Sequence, residues 1–170
     1  MDKAITTALL IIISVVVSVM LFNAVYPAVQ EGGDAIASLA NRSEARLRTE
    51  ITIIHAAGEL DSDGWWQDTN GNGQFDVFVW VKNVGDSRIT ALDRADVFFG
   101  PEGNFARIPY VDYAGGNLPY WSWSVENDAE WTPTATGRIT IHYTLPLTSG
   151  RYFVKMITSG GVEDDYILGM

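Results

Sequence analysis

The most specific local signal in the chain is Asp68-Thr-Asn70-Gly-Asn72-Gly73-Gln74-Phe-Asp76. Side-chain oxygens stand at positions 1, 3, 5 and 9 of this run, with Gly73 at position 6. That is the spacing of the first three-quarters of an EF-hand-type loop. Alternate residues of a tight loop turn their oxygens inward, Gly73 admits the sharp bend, and Gln74 offers its backbone carbonyl. Calcium, which takes about six to eight oxygens in a flexible shell, is the cofactor such a loop would hold. Position 12 is Val79 where an EF-hand has a bidentate Glu, and a strand follows where a helix would stand. Asp61 or Asp63, close by in sequence, is then the carboxylate expected to complete the shell. The same residues also suit a solvated turn between strands, since Asn and Gly both accept positive φ. Either way the loop is structural, because no base or nucleophile is legible beside it.

Other chemistry is thinly represented. Cysteine is absent, which excludes disulfides, thiolate zinc sites, iron–sulfur clusters and cysteine nucleophiles. His55 and His142 are the two histidines, and both sit in alternating runs where a packed or half-exposed strand residue is expected. No phosphate loop, dinucleotide fingerprint or nucleophile elbow occurs. The chain therefore reads as a non-enzyme with no small-molecule substrate. With 11 Lys and Arg against 21 Asp and Glu, net −10, it also lacks the basic clusters that nucleic-acid binding requires. Asn41-Arg-Ser43 is a glycosylation sequon that fits an incidental occurrence on a helix. Trp65-Trp66 and Tyr120-Trp-Ser-Trp123 read as core packing or subunit contact before sugar binding.

The elements that carry these residues fall into two parts. No charged residue occurs from Ala4 to Gln30, and Ala8–Phe22 is almost wholly apolar. A bilayer-crossing helix needs about 20 such residues, whereas a signal peptide needs a basic leader and a small-residue cleavage site. Lys3 is a weak leader and no Ala-x-Ala site follows, so the segment is expected to be retained. It would serve as a membrane anchor or as a helix packed against copies of itself. Beyond Pro27, expected to kink the helix, and Gly32-Gly33, expected to be a hinge or short break inside one helix of about 45 residues, Ile36, Leu39, Ala40, Ser43 and Leu47 form one apolar stripe. Asp34 is placed to cap the resumed helix. Arg42, Glu44, Arg46 and Arg48 take the opposite face.

From about Glu50 the period becomes alternating. Strands are expected at Glu50–Gly58, Asp76–Asn83, Ser87–Leu92, Ala95–Gly100, Arg107–Tyr113, Pro119–Glu126, Gly137–Leu145, Arg151–Ser159 and Asp165–Leu168. Residues 58–170 hold 16 acids and 7 bases, so this part is an acidic head. The expected fold class is α+β. Residues 1–49 form a long hydrophobic then amphipathic helix, and residues 50–170 form an all-β, immunoglobulin-like sandwich.

With these residues in place, the chain resembles the archaellin and type IV filament family. The likeness lies in Ala4-Ile-Thr-Thr-Ala-Leu-Leu-Ile-Ile-Ile13 through Asn23-Ala-Val-Tyr-Pro27. It lies also in Val79-Trp-Val-Lys-Asn-Val-Gly85, similar to a strand-turn in the heads of archaellins and of small archaellum accessory proteins. The resemblance implies a structural subunit of an extracellular archaellum-like or pilus-like filament, serving motility or adhesion. Its subunits would be membrane-inserted before assembly and joined to copies of themselves through Ile5, Leu9, Ile12, Val16, Met20 and Val25. It also implies an assembly ATPase and a platform protein as partners. Bacterial pilins carry an acid at the fifth mature position. Ile5 stands there if Met1 is the mature start, which favours the archaeal branch. No prepilin leader precedes the apolar run, and an unprocessed start would favour the alternative: a membrane-anchored accessory, stator-like or adhesive, that does not form the filament.

Overall fold

A computed structural model describes residues 2–170. It divides into two compact units, one reaching to Glu44 and the other spanning Ala45–Met170.

The first unit belongs to a single helix, α1, Asp2–Leu47, of 46 residues. At 1.5 Å per residue it is about 69 Å long, more than twice the hydrocarbon thickness of a bilayer. Its polar side chains bond back to their own helix: Ser14 Oγ donates to the Ile11 carbonyl at 2.8 Å and Ser18 Oγ to the Ser14 carbonyl at 2.7 Å. The single long helix expected on both sides of Gly32-Gly33 is present and runs through the pair without a break, so Asp34 lies inside it and caps no end. Each helical glycine costs only about 1 kcal/mol relative to alanine, too little to interrupt so long a ladder. Pro27 is also accommodated within α1; lacking an N–H, it leaves the carbonyl four residues back without its helix bond.

The second unit is a β-sandwich. Its strands are β1 Ile51–Gly58, β2 Phe75–Asn83, β3 Asp96–Pro101, β4 Ala106–Ile108, β5 Tyr120–Glu126, β6 Thr136–Tyr143, β7 Arg151–Ile157 and β8 Glu163–Gly169. They form two four-stranded sheets, ordered β1-β2-β6-β5 and β4-β3-β7-β8, with every neighbouring pair antiparallel. Alternation decides what is enclosed. Val77, Val79 and Val81 of β2 and Ile139 and Ile141 of β6 face Val97, Phe99, Val154 and Met156 of the other sheet, all within one core. Trp121 and Trp131 are fully buried there and supply bulk that a cysteine-free sandwich cannot obtain from disulfides. A bulge between Ile53 and His55 shifts β1 by one residue, so Ile54 points out and Ala56 returns to the core.

Two expected strands differ. Ser87–Leu92 is irregular and leads into a short 3-10 turn at Leu92–Arg94. Its backbone groups are committed elsewhere: Asp86 and Ser87 donate to the Arg48 carbonyl and Ile89 to the Trp131 carbonyl, while Ala91 takes a left-handed φ of 55°. The run Arg107–Tyr113 keeps only β4, because Pro109 follows and a 3-10 turn at Val111–Tyr113 replaces the ladder.

Candidate functional site

Three places in the structure gather the residues to which the sequence draws attention. The first is the apolar half of α1. Ile5, Leu9, Ile12, Val16, Met20 and Val25 are each 47–67% exposed. One 18-residue window of α1 reaches a mean hydropathy of 2.8, long and apolar enough to cross a membrane. Exposed aliphatic area of this extent is costly in water, at about 25 cal/mol per Å². Asn41 is exposed on the same helix.

The second is the joint at which the sandwich unit begins. Asn83 closes β2 and is fully buried. Its Nδ2 donates to the carbonyls of Ser87 (2.9 Å) and Trp131 (3.2 Å), and its Oδ1 accepts from Gly85 N–H at 3.1 Å. The loop so fixed then holds the segment after α1. Val84 and Gly85 donate to the Glu50 carbonyl, and Asp86 and Ser87 to that of Arg48. A Cβ on Gly85 would lie 2.5 Å from Glu50 N and 2.6 Å from the Arg48 carbonyl oxygen, so the close approach requires glycine. Arg46 Nη2 adds a bond to the Gly161 carbonyl at 2.8 Å. The Asn-Val-Gly of Val79–Gly85 is thus a clamp on residues 48–50.

The third is the loop between β1 and β2. Asp68 turns its carboxylate onto the loop's own backbone: Oδ1 accepts from Gly71 (2.7 Å) and Asn72 (3.2 Å), and Oδ2 from Gly73 (2.9 Å). Asn70 Oδ1 accepts from Asn72 N–H at 3.0 Å, and Asn72 Oδ1 from Gln74 N–H at 2.7 Å. Gly71 and Gly73 take φ of 71° and 70°. Asp76, fully buried, accepts on Oδ2 from the amides of Asn70 (2.8 Å) and Asn72 (3.0 Å). Asp68, Asn70, Asn72 and Asp76 are therefore joined through one network, with Gln74 contributing its backbone. Asp61 is not drawn in; its Oδ1 accepts from Asp63 and Trp65 N–H and closes a separate turn. Glu59, which sequence reasoning missed, is the acid that reaches the loop. It is 3% exposed, and its Oε1 accepts from the backbone N–H and the hydroxyl of Thr69. It stands just beyond β1 and donates its N–H to the Asp76 carbonyl at 2.9 Å, an approach made by strand pairing that no local sequence pattern signals. Among the described residues no three His, Asp or Glu side chains form a metal cluster.

Asp76 also faces His142, whose Nδ1 lies 2.6 Å from Asp76 Oδ1, while its Nε2 lies 3.0 Å from Ser122 Oγ. The chain Asp76–His142–Ser122 has the connectivity of a serine-hydrolase relay, assembled by neighbouring strands β2, β6 and β5. Tyr120 packs on the imidazole with ring centroids 4.8 Å apart. His55 stacks on Trp80 in the same sheet at 5.5 Å. A groove of about 500 Å³ lies elsewhere, lined in part by Phe99, Pro101, Tyr143 and Tyr152, with no carboxylate or histidine in its wall. Burial, with Tyr152 second, pushes the Tyr143 phenol up to about 12, so it is no acid or base at neutral pH. Of the aromatic clusters, Trp121 and Trp123 pack in or against the core, Trp123 on Trp131 at 4.6 Å. Trp65 is 74% exposed.

No protein-family model and no curated protein sequence matches this chain. Two solved structures are similar to it. One is the archaellum periplasmic stator protein FlaG from Sulfolobus acidocaldarius, at 26% identity and TM-score 0.53, covering 71% of this chain and 99% of that one. The other is the archaellum periplasmic stator complex of FlaF and FlaG from the same organism, at 26% identity and TM-score 0.51, covering 71% and 89%. Both are described as stator proteins, so the expected likeness to the archaellum stands while the likeness to its filament subunit does not gain support. The head after the long apolar helix is thus a β-sandwich of the kind found in archaellum stator proteins.

Proposed function

We propose that this chain is a membrane-anchored, non-enzymatic accessory component of an archaellum-type surface machine, stator-like in role. Its apolar helix lies in lipid, and its acidic sandwich stands outside the membrane. The observation that carries this reading is the match to the solved FlaG chain across 99% of its residues, joined to a helix whose apolar residues are exposed and long enough to span. A partner follows from the same likeness: a second stator-type protein of the machine, as FlaG has in its complex with FlaF. Self-polymerisation into the filament, with an assembly ATPase and platform protein to extract subunits, is the finer reading that the likeness favours less.

The Asp76–His142–Ser122 chain does not alter the non-enzymatic reading. It lies on strands of a sheet, where Ser122 pairs with Thr140 in the ladder. We read it as a packing contact, since Asp76 is fully buried and Tyr120 packs on the His142 ring.

The deciding experiment separates location and stoichiometry. Cells are sheared to release surface filaments, and filaments and membranes are compared by quantitative mass spectrometry. The accessory reading expects the chain in the membrane fraction and at trace level in filaments. A chain abundant in the filament, in fixed ratio to filament length, would restore the filament-subunit reading.

A further inference from the structure

We infer that Asn70 and Asn72 are sites of covalent self-modification by deamidation, and that Asp68 is the residue that holds both reactions off. The chain contains two Asn-Gly pairs, Asn70-Gly71 and Asn72-Gly73, and both stand in the exposed β1–β2 loop. This pair favours ring closure, because glycine has no Cβ to obstruct it. The glycine nitrogen attacks the asparagine Cγ. A new N–C bond closes a five-membered imide, and the bond from Cγ to Nδ2 breaks. The proton given up by the glycine N–H leaves with that nitrogen as ammonia. Water then opens the imide at either carbonyl, giving aspartate or isoaspartate. Water is the one co-reactant, and nothing is oxidised or reduced.

The nucleophile of each pair is occupied, and by the same carboxylate. Asp68 Oδ1 accepts from Gly71 N–H at 2.7 Å, and its Oδ2 from Gly73 N–H at 2.9 Å. To attack, the glycine nitrogen must leave that oxygen and lose its proton, and the neighbouring negative charge opposes the anion that results. Hydrogen bonds to a charged group are the strong ones, and releasing one is worth about tenfold or more in an equilibrium. The electrophile is pinned as well. Asn70 and Asn72 both donate from Nδ2 to Asp76 Oδ2, at 2.8 and 3.0 Å. Their Oδ1 atoms accept from the N–H groups of Asn72 and Gln74. Each side-chain amide is thus held at both ends, so its carbon cannot swing freely toward the glycine nitrogen.

Asp76 decides what the modification does. It is fully buried, and two amide NH2 groups donate to its Oδ2. Deamidation of either asparagine exchanges a donor for a carboxylate facing a carboxylate, and a like-charge contact out of water is strongly unfavourable. The loop then lets go of the start of β2. Because Asp68 and Asp76 act on both pairs, loss at one loosens the other, and the second event follows faster than the first.

Peptide mapping by mass spectrometry tests this on the full chain in detergent at mildly alkaline pH, with a synthetic peptide of residues 66–78 as the unfolded reference. Each event adds one mass unit at a defined asparagine. The folded chain should deamidate at both sites about tenfold or more slowly than the peptide. Asp68→Ala should speed both sites by a similar factor. Asp68→Asn keeps a single acceptor oxygen. With that oxygen on Gly71 and Asn72, where Oδ1 now lies, Asn72 should speed up while Asn70 stays slow. Thr69→Val removes the hydroxyl bond to Glu59 and leaves the Asp68 bonds in place, so both sites should stay slow. Asn72→Asp, which writes the product into the chain, should lower the thermal midpoint. A folded wild-type chain, judged by circular dichroism, that deamidates as fast as the peptide would overturn the inference. So would a rate in Asp68→Ala equal to wild type, or a rate in Thr69→Val as high as in Asp68→Ala, which would make general loop rigidity the guard. Equal acceleration of the two sites in Asp68→Asn would overturn the assignment of one oxygen to each glycine. A midpoint unmoved by Asn72→Asp would overturn the consequence drawn from Asp76.

Discussion

Asn83 is completely enclosed, yet it uses both ends of its amide on backbone: two carbonyls on one side and an N–H on the other. Asn83→Ala takes from the Ser87 carbonyl its amide donor, while Gly85 N–H keeps the Glu50 carbonyl and the Trp131 carbonyl keeps Ile89 N–H; one such lost partner costs about 1–3 kcal/mol. Chemical denaturation should therefore show a loss of about 1–3 kcal/mol with little change in the fold. A loss under 1 kcal/mol would mean that water replaces the side chain and that the clamp is not built on it. Tyr143 makes a pH-dependent prediction. Its phenol is raised from 10.0 to about 12, with burial as the main cause. Below pH 10 both the folded and unfolded chains hold the proton, and its contribution is intact. Between pH 10 and about 12 the unfolded chain ionises first, so stability falls. Two full units correspond to about 2.7 kcal/mol, and partial exposure of the ring makes the observed loss smaller. Tyr143→Phe should remove that part of the alkaline slope; parallel curves for the two proteins from pH 9 to 12 would refute the assignment.

At the scale of elements, what the sequence made legible depended on whether periodicity alone sets the outcome. The uncharged run from Ala4 to Gln30 can only be helix in lipid or in a bundle, and α1 contains it whole. In β2 and β6 the apolar residues alternate into the core, Val77, Val79 and Val81 on one and Ile139 and Ile141 on the other, and the extents follow that pattern closely. Ser87–Leu92 has strand-like composition, but its fate is set by bonds to Arg48 and Trp131, which are distant in sequence and invisible to any local pattern. The Gly32-Gly33 pair misleads in the opposite way: a motif that ends short helices is outvoted in a 46-residue one. The loop between β1 and β2 shows the same division. Asp68, Asn70, Asn72, Gln74 and Asp76 are adjacent and could be read as a set. Glu59 enters only because β1 pairs with β2, which brings its end alongside Asp76. Asp76, His142 and Ser122 meet for the same reason, since cross-strand register joins residues 66 and 20 positions apart.

On the scale of the whole chain, two compact units imply that folding and anchoring are separable. The sandwich unit begins at Ala45 and keeps the Arg46–Gly161 bond, the clamp on Arg48–Glu50 and the whole aliphatic core. A chain starting at Ala45 should therefore fold as a soluble β protein, with the melting behaviour of the sandwich in the intact molecule. In the proposed reading, anchoring rests on the other unit. Leu9–Phe22 holds eleven Ile, Leu, Val and Phe residues, each worth about 0.3–0.6 kcal/mol toward insertion, or about 3–7 kcal/mol together. One central Asp costs about 2.5–3.5 kcal/mol, comparable with the lower end of that gain, so a single charge leaves the balance close. Two charges, Ile12→Asp with Val16→Asp, stand one helical turn apart and cost about 5–7 kcal/mol, enough to cancel the gain. The double variant should thus leave the membrane fraction while its sandwich melts as in the parent, and the chain from Ala45 should do the same. Wild-type membrane retention by the chain from Ala45, after a high-salt wash that removes charge-mediated adsorption, would show that the sandwich and not α1 holds the chain at the membrane, and the anchored-accessory reading would lose its physical basis.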